Sequence, residues 1–118
     1  HMAYEMPNID GLMSGAGRVR KNGYEIMWGV GRHGPGSNVF SYFVEPNGFV
    51  AEYTTEVDQV GDNYVGHDAK WWQEQNLFPC RWNMAGPPSD FARRAMGGEI
   101  AEEENQRCEQ VMAKALGR

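Results

Sequence analysis

The sequence predicts an α+β protein, with a β-α-β-β-β module over residues 1–57 and an irregular, partly helical extension over 58–118. Three observations carry that reading. Short apolar runs recur between Pro, Gly and Asn breakers, as strands require. One stretch between the first two runs has helical spacing instead. Beyond residue 57 the alternation stops, and a Gly-, Pro- and Trp-bearing segment leads into an acidic helical pattern.

"MAYEM" (2–6) reads as the first strand, broken by Pro7 and Asn8. Asn8 is a plausible N-cap, and Asp10 sits where a helix dipole favours negative charge. Ile9, Leu12, Met13, Ala16 and Val19 follow at helical spacing. Arg18, Arg20 and Lys21 crowd the last turn, and Gly23 ends it. "YEIMWGV" (24–30) is the second strand, "GRHGPGSN" (31–38) a loop, "VFSYFV" (39–44) the third strand and "FVAEYTTEV" (49–57) the fourth. In the extension, Trp71, Trp72, Phe78 and Trp82 are expected to pin the chain to a neighbouring surface. Ser89 or Asp90 caps a short helix through Met96. A last helix runs from about Glu99 to Leu116, with Ile100, Cys108, Val111, Met112, Ala115 and Leu116 as a partial stripe. Its middle, "EEENQR", is polar enough that fraying is expected there.

The gross numbers exclude several classes. At 118 residues the chain is one domain by length, and 41% hydrophobic residues allow a modest core. A net charge of −5 argues against nucleic acid or an anionic membrane as partner. The apolar runs are far shorter than a bilayer span. No basic-then-apolar leader opens the chain. Cys80 and Cys108 lie far apart without a CxxC pattern, so they read as structural thiols in a reducing cytoplasm.

The turn "EPNG" fixes the geometry of the last two strands. Pro46 locks φ near −65°, which excludes the two-residue hairpin turns that need positive φ there. A type I turn through Pro46 and Asn47, with Gly48 left-handed after it, fits. That register sets Glu45 against Phe49, Val44 against Val50 and Tyr42 against Glu52. The phenol and the carboxylate then share one face, with Cβ atoms about 5 Å apart. A one-residue slip would separate them. Taken alone, Glu52 has three readings: solvated, salt-bridged or metal-bound, because a buried carboxylate needs a partner. Tyr42 alone reads as a strand aromatic and His33 as a loop histidine. His67 reads as a solvated residue rather than a stray ligand.

Together, "GRHGPG", "NVF.YFVEPNGFVAEYT" and the opening strand resemble the vicinal oxygen chelate superfamily, and within it the C-terminal module of a type I extradiol catechol dioxygenase. The resemblance covers residues 1–57 and implies a mixed, curved sheet. It implies His1 and Glu52 as ligands of Fe(II), with Mn(II) the alternative, and a third ligand from a preceding module that this chain lacks. It implies His33 as acid/base and Tyr42 as hydrogen-bond partner of a substrate oxygen. Two imidazoles and one carboxylate suit non-haem Fe(II) and leave positions open for substrate and O₂. His1-Met2 has two readings, a native strand start and a cloning remnant. The implied function is ring opening of catechol-type aromatics with O₂, with the isolated chain incomplete. Two alternatives stay open: a non-catalytic, bleomycin-resistance-like binding module, and a metal-dependent glyoxalase-like lyase or isomerase. A curved sheet needs its concave face covered, so either a homo-oligomer or the tail helix is expected to cover it.

Overall fold

The computed structural model describes residues 1–77 and 79–117, with backbone alone at 104, 107 and 108. Its elements are β1 (Met2–Glu5), α1 (Ile9–Lys21), β2 (Ile26–Arg32), β3 (Val39–Val44), β4 (Val50–Thr55), α2 (Ala69–Glu74), α3 (Asp90–Met96) and α4 (Glu99–Ala115). The strands form one sheet in the order β1-β4-β3-β2. β1 runs parallel to β4, and the other pairs are antiparallel, so the sheet is mixed.

Local chemistry starts and stops these elements where the sequence says it should. The Asn8 side chain accepts from Gly11 N at 2.8 Å and caps α1. Past Lys21 the chain turns through Asn22 into Gly23, whose φ is 90°. Ser89 caps α3 by accepting from Ala92 N at 3.1 Å. The hairpin closes with Gly48 N donating to Glu45 O at 2.9 Å, and Gly48 has φ 84°. The register that follows sets Tyr42 against Glu52 and Val44 against Val50, as the Pro46-Asn47-Gly48 turn dictates.

Period-two alternation divides the sheet between two covers. Tyr53 turns toward α1, so closely that a Cβ on Gly15 would come within 2.9 Å of its ring. Leu12 of α1 is fully buried on that side. The opposite face presents Phe40, Tyr42 and Val50. These pack in one cluster with Cys80, Ala85 and Ala95, joined by Trp28, Val44, Met96 and Ile100. Within the chain, residues 80–101 of the C-terminal segment lie over this face. Small side chains at 80, 85, 92, 95 and 101 let it lie close.

The structure departs from the expectations at several points. β2 begins at Ile26 and runs to Arg32, which shortens the loop to residues 33–38. His33 N closes that loop by donating to Asn38 O at 2.9 Å. A short helix, α2, stands in the segment expected to be irregular, capped by Asp68 through Trp71 N at 2.8 Å. α4 is continuous from Glu99 to Ala115: Glu99 and Glu102 suit the N-terminal dipole, and Arg94 ties α3 to Glu99 at 2.8 Å and to Glu103. The expected stripe is not a buried face, because Val111, Met112 and Leu116 are all exposed. Phe78 and the Cys108 side chain lie outside the described residues. Trp71 and Trp72 are half-buried, and Trp72 packs on Gly34, whereas exposed Trp82 lies beneath the Arg32 guanidinium, 4.9 Å from its ring centre.

Gly48 also admits α4, since a Cβ there would come within 2.8 Å of Ala101 Cα. Gly23 shares the positive φ but has open space around it. Gly48→Ala should therefore lower stability in urea unfolding by about 1–3 kcal/mol, more than Gly23→Ala does. Equal losses for the two variants would remove the packing argument.

Candidate functional site

The β3–β4 pair builds the centre of the candidate site. Tyr42 and Glu52 face each other across the ladder, and each is only 4% exposed. The parallel β1–β4 register sets Ala3 beside Glu52. His1, two residues before Ala3, is on the same face, with its ring edge-on to Tyr42 at 5.1 Å between centroids. The shortened loop after β2 delivers His33. Its Nε2 lies 3.1 Å from Tyr42 Oη and 3.6 Å from Glu52 Oε1. The structure thus brings His1, His33, Tyr42 and Glu52 to one sheet face. Exposed His67 instead stacks on Trp71 at 3.6 Å.

Aromatic rings wall this group. His33 stacks on Phe40 at 4.0 Å, nearly parallel. Trp28, paired with Tyr42 in the β2–β3 ladder, lies 4.9 Å from Tyr42, 4.6 Å from Phe40 and 5.4 Å from His33. Such a wall lowers the local dielectric and strengthens each polar contact inside it. Arg32 holds the base of the loop by donating to Ser37 O and pairing with Glu56.

Glu52 is the most constrained of these groups. Among the described residues its carboxylate meets no Lys or Arg, and its one ion-pair contact is the His33 imidazole. Burial raises the Tyr42 phenol well above its ordinary pKa, and the neighbouring Glu52 carboxylate adds to the shift by hydrogen bonding and charge repulsion. Tyr42 has one proton, drawn by both His33 Nε2 and Glu52, and it keeps that proton through the whole physiological range. As for metal ligation, no group of three His, Cys, Asp or Glu side chains is gathered tightly enough among the described residues to hold an ion. Glu52 and the imidazoles that share its face are the side chains here whose chemistry suits a divalent cation.

Two contributors escaped sequence reasoning. Trp28 joins the site through a β2–β3 ladder with register shifts around Met27 and Val30, which period-two counting cannot follow. The Pro79 carbonyl oxygen lies 3.3 Å from His33 Nδ1. It comes from 46 residues downstream, where no local pattern announces it.

No family model matches the chain. It is 37% identical over 95 residues to metapyrocatechase 2 of Cupriavidus necator, a match over 79% of this chain and 28% of that protein. It is 36% identical to the Mn(II)-bound glyoxalase from Novosphingobium aromaticivorans, with a TM-score of 0.57 over 71% of this chain and 27% of that one. A catechol 2,3-dioxygenase structure aligns with a TM-score of 0.47 at 19% identity, over 56% of this chain and 25% of that one. The chain thus spans little more than a quarter of the length of the relatives it matches. The metapyrocatechase and the glyoxalase fit the vicinal oxygen chelate superfamily, and the chain resembles its C-terminal module.

The phenol shift predicts a stability signature. Tyr42 ionises in the unfolded chain near its ordinary value of 10.0 but not in the fold. The neutral phenol's contribution is therefore fully present below that value and is lost as pH rises above it. Urea unfolding across alkaline pH should show wild type losing stability more steeply than Tyr42→Phe. Parallel curves would mean that Tyr42 titrates normally.

Proposed function

We propose that this chain is the C-terminal part of an extradiol dioxygenase, opening catechol-type aromatics with O₂ at a 2-His-1-carboxylate Fe(II) site. In this reading residues 1–57 form the β-α-β-β-β module and 58–118 its extension. The observation that carries it is the buried contact of His33, Tyr42 and Glu52 on one sheet face, with His1 beside Tyr42. The 37% identity to a metapyrocatechase supports the reaction class.

The residues present fit a divalent metal, with His1 and Glu52 as two of its ligands. The third is expected from a neighbouring module or a second copy alongside the open edge of β1. A bound metal would supply Lewis acidity and adjacent positions for the two reactants. The chain's own residues supply the rest. Tyr42, held protonated, donates a hydrogen bond to a substrate oxygen. His33, whose Nε2 lies 3.1 Å from Tyr42 Oη, would take or return the proton of that substrate oxygen. Trp28 and Phe40 pack around His33 and Tyr42 and exclude water from their contact. Positioning of this kind supplies a large share of a rate enhancement between two bound reactants.

A second reading, a metal-dependent glyoxalase-like enzyme, is favoured by the 36% identity to the Mn(II)-bound glyoxalase. Both readings use Glu52 as a ligand. They part at His33, which has a clear task only in the first.

The test is turnover by the polypeptide that carries this chain. With Fe(II), O₂ and a catechol, a yellow ring-fission product is expected. His33→Ala should lower kcat by about 10²–10⁴-fold, the share of one positioned acid/base, without loss of metal binding. No ring-fission product, with turnover of a glyoxalase substrate under Mn(II), would replace this reading by the second.

A further inference from the structure

Both ring nitrogens of His33 are engaged, and the two engagements differ in kind. Nε2 faces Tyr42 Oη at 3.1 Å. Nδ1 faces the Pro79 carbonyl oxygen at 3.3 Å. A carbonyl oxygen can only accept, so this contact requires the hydrogen on Nδ1. Neutral His33 is then the Nδ1–H tautomer, and the Nε2 lone pair faces Tyr42 Oη, whose one proton the Glu52 carboxylate also draws.

The position of Pro79 is set by anchors on either side of the segment 79–86. Arg81 N donates to Arg32 O at 2.7 Å, and the Arg81 guanidinium donates to Ser37 Oγ at 2.7 Å. Buried Cys80 sits against Gly31, where a Cβ would come within 2.8 Å of its sulfur. At the far end Trp28 Nε1 donates to Gly86 O at 2.8 Å. Trp28 is itself packed against Phe40, Tyr42 and His33. One indole therefore touches both halves of the arrangement: the ring wall around His33, and the segment that bonds to its far nitrogen.

We propose that Trp28 is a positioning residue that, by tethering segment 79–86, makes the Pro79 carbonyl a tautomer clamp on His33. The clamp fixes the ring's orientation and leaves Nε2 bare toward Tyr42 and the substrate oxygen. A histidine that bonds through one nitrogen to a fixed acceptor presents its other nitrogen in a defined state. The catalytic meaning of the clamp rests on the acid/base role proposed for His33, but its existence does not.

Nitrogen-resolved NMR of the 118-residue chain, without metal or substrate and with His33 neutral, reads the tautomer directly. Wild type should show Nδ1 protonated and Nε2 bare. Trp28→Phe keeps an aromatic ring and removes the donor to Gly86. It should move the tautomer ratio toward Nε2–H by about fivefold, the share set by one ordinary hydrogen bond. If that variant does not fold, Arg81→Ala removes an exposed anchor of the same segment and should move the ratio in the same direction. A wild-type His33 protonated at Nε2, or a ratio unmoved in the folded variant, overturns the clamp. Either result leaves the ring-cleavage reading standing, and failed turnover would equally leave the tautomer result standing.

Discussion

A carboxylate held inside a sheet face governs the arrangement around it. Removing a charge from water costs several kcal/mol unless a counter-charge or a set of donors replaces the lost hydration. Glu52 is only 4% exposed and meets no Lys or Arg among the described residues. What surrounds it is a phenol, an imidazole at 3.6 Å and, through β1, a second imidazole on the same face. None of these alone is a full counter-charge. A strand built only for stability would place an apolar residue there, as Phe40 and Val50 are placed nearby. The sheet tolerates the cost at one position and surrounds it with rings that keep water out.

The C-terminal segment makes that enclosure possible. Its contacts with the sheet are made by Cys80, Ala85 and Ala95, with Met96 and Ile100 at the margin. Small side chains bring backbone close, and backbone carries the polar groups that matter: the Pro79 and Gly86 carbonyls reach His33 and Trp28. After Ala101, α4 leaves the sheet and runs on with Val111, Met112 and Leu116 exposed. Packing and chemistry are therefore joined over residues 79–101. The rest of α4 adds length to a molecule extending 63 × 31 × 27 Å.

The parts of this structure that the sequence declares are those with local causes. Pro46, Asn47 and Gly48 leave one turn geometry open, and that turn aligns Tyr42 with Glu52. Asn8 and Ser89 mark helix starts because short polar side chains satisfy the first free amides. The parts it hides depend on distant partners or broken periods. The shifts in β2 disguise which of its residues face Tyr42. α2 has six residues and no buried side chain, so its apolar pattern carries no signal, and only the Asp68 cap betrays it. Residues 111–116, at the end of α4 and its cap, carry apolar spacing without burial, so pattern alone overstates the core. The turn register pairs Tyr42 with Glu52, and His33 stands out through the family resemblance, whereas Trp28 and Pro79 become visible only when the chain is folded.

The most direct test of the central claim is thermal and urea stability of the polypeptide that carries this chain, as wild type and as Glu52→Gln, each with and without Mn(II), at mildly alkaline pH. An enclosed carboxylate awaiting a cation predicts that Glu52→Gln is more stable than metal-free wild type by about 1 kcal/mol or more. It also predicts that Mn(II) stabilises wild type, by about 2.7 kcal/mol at 100 times its Kd, and does not stabilise the variant. A variant less stable than metal-free wild type, with the same response to Mn(II), would show that Glu52 is already satisfied within the fold and holds no metal.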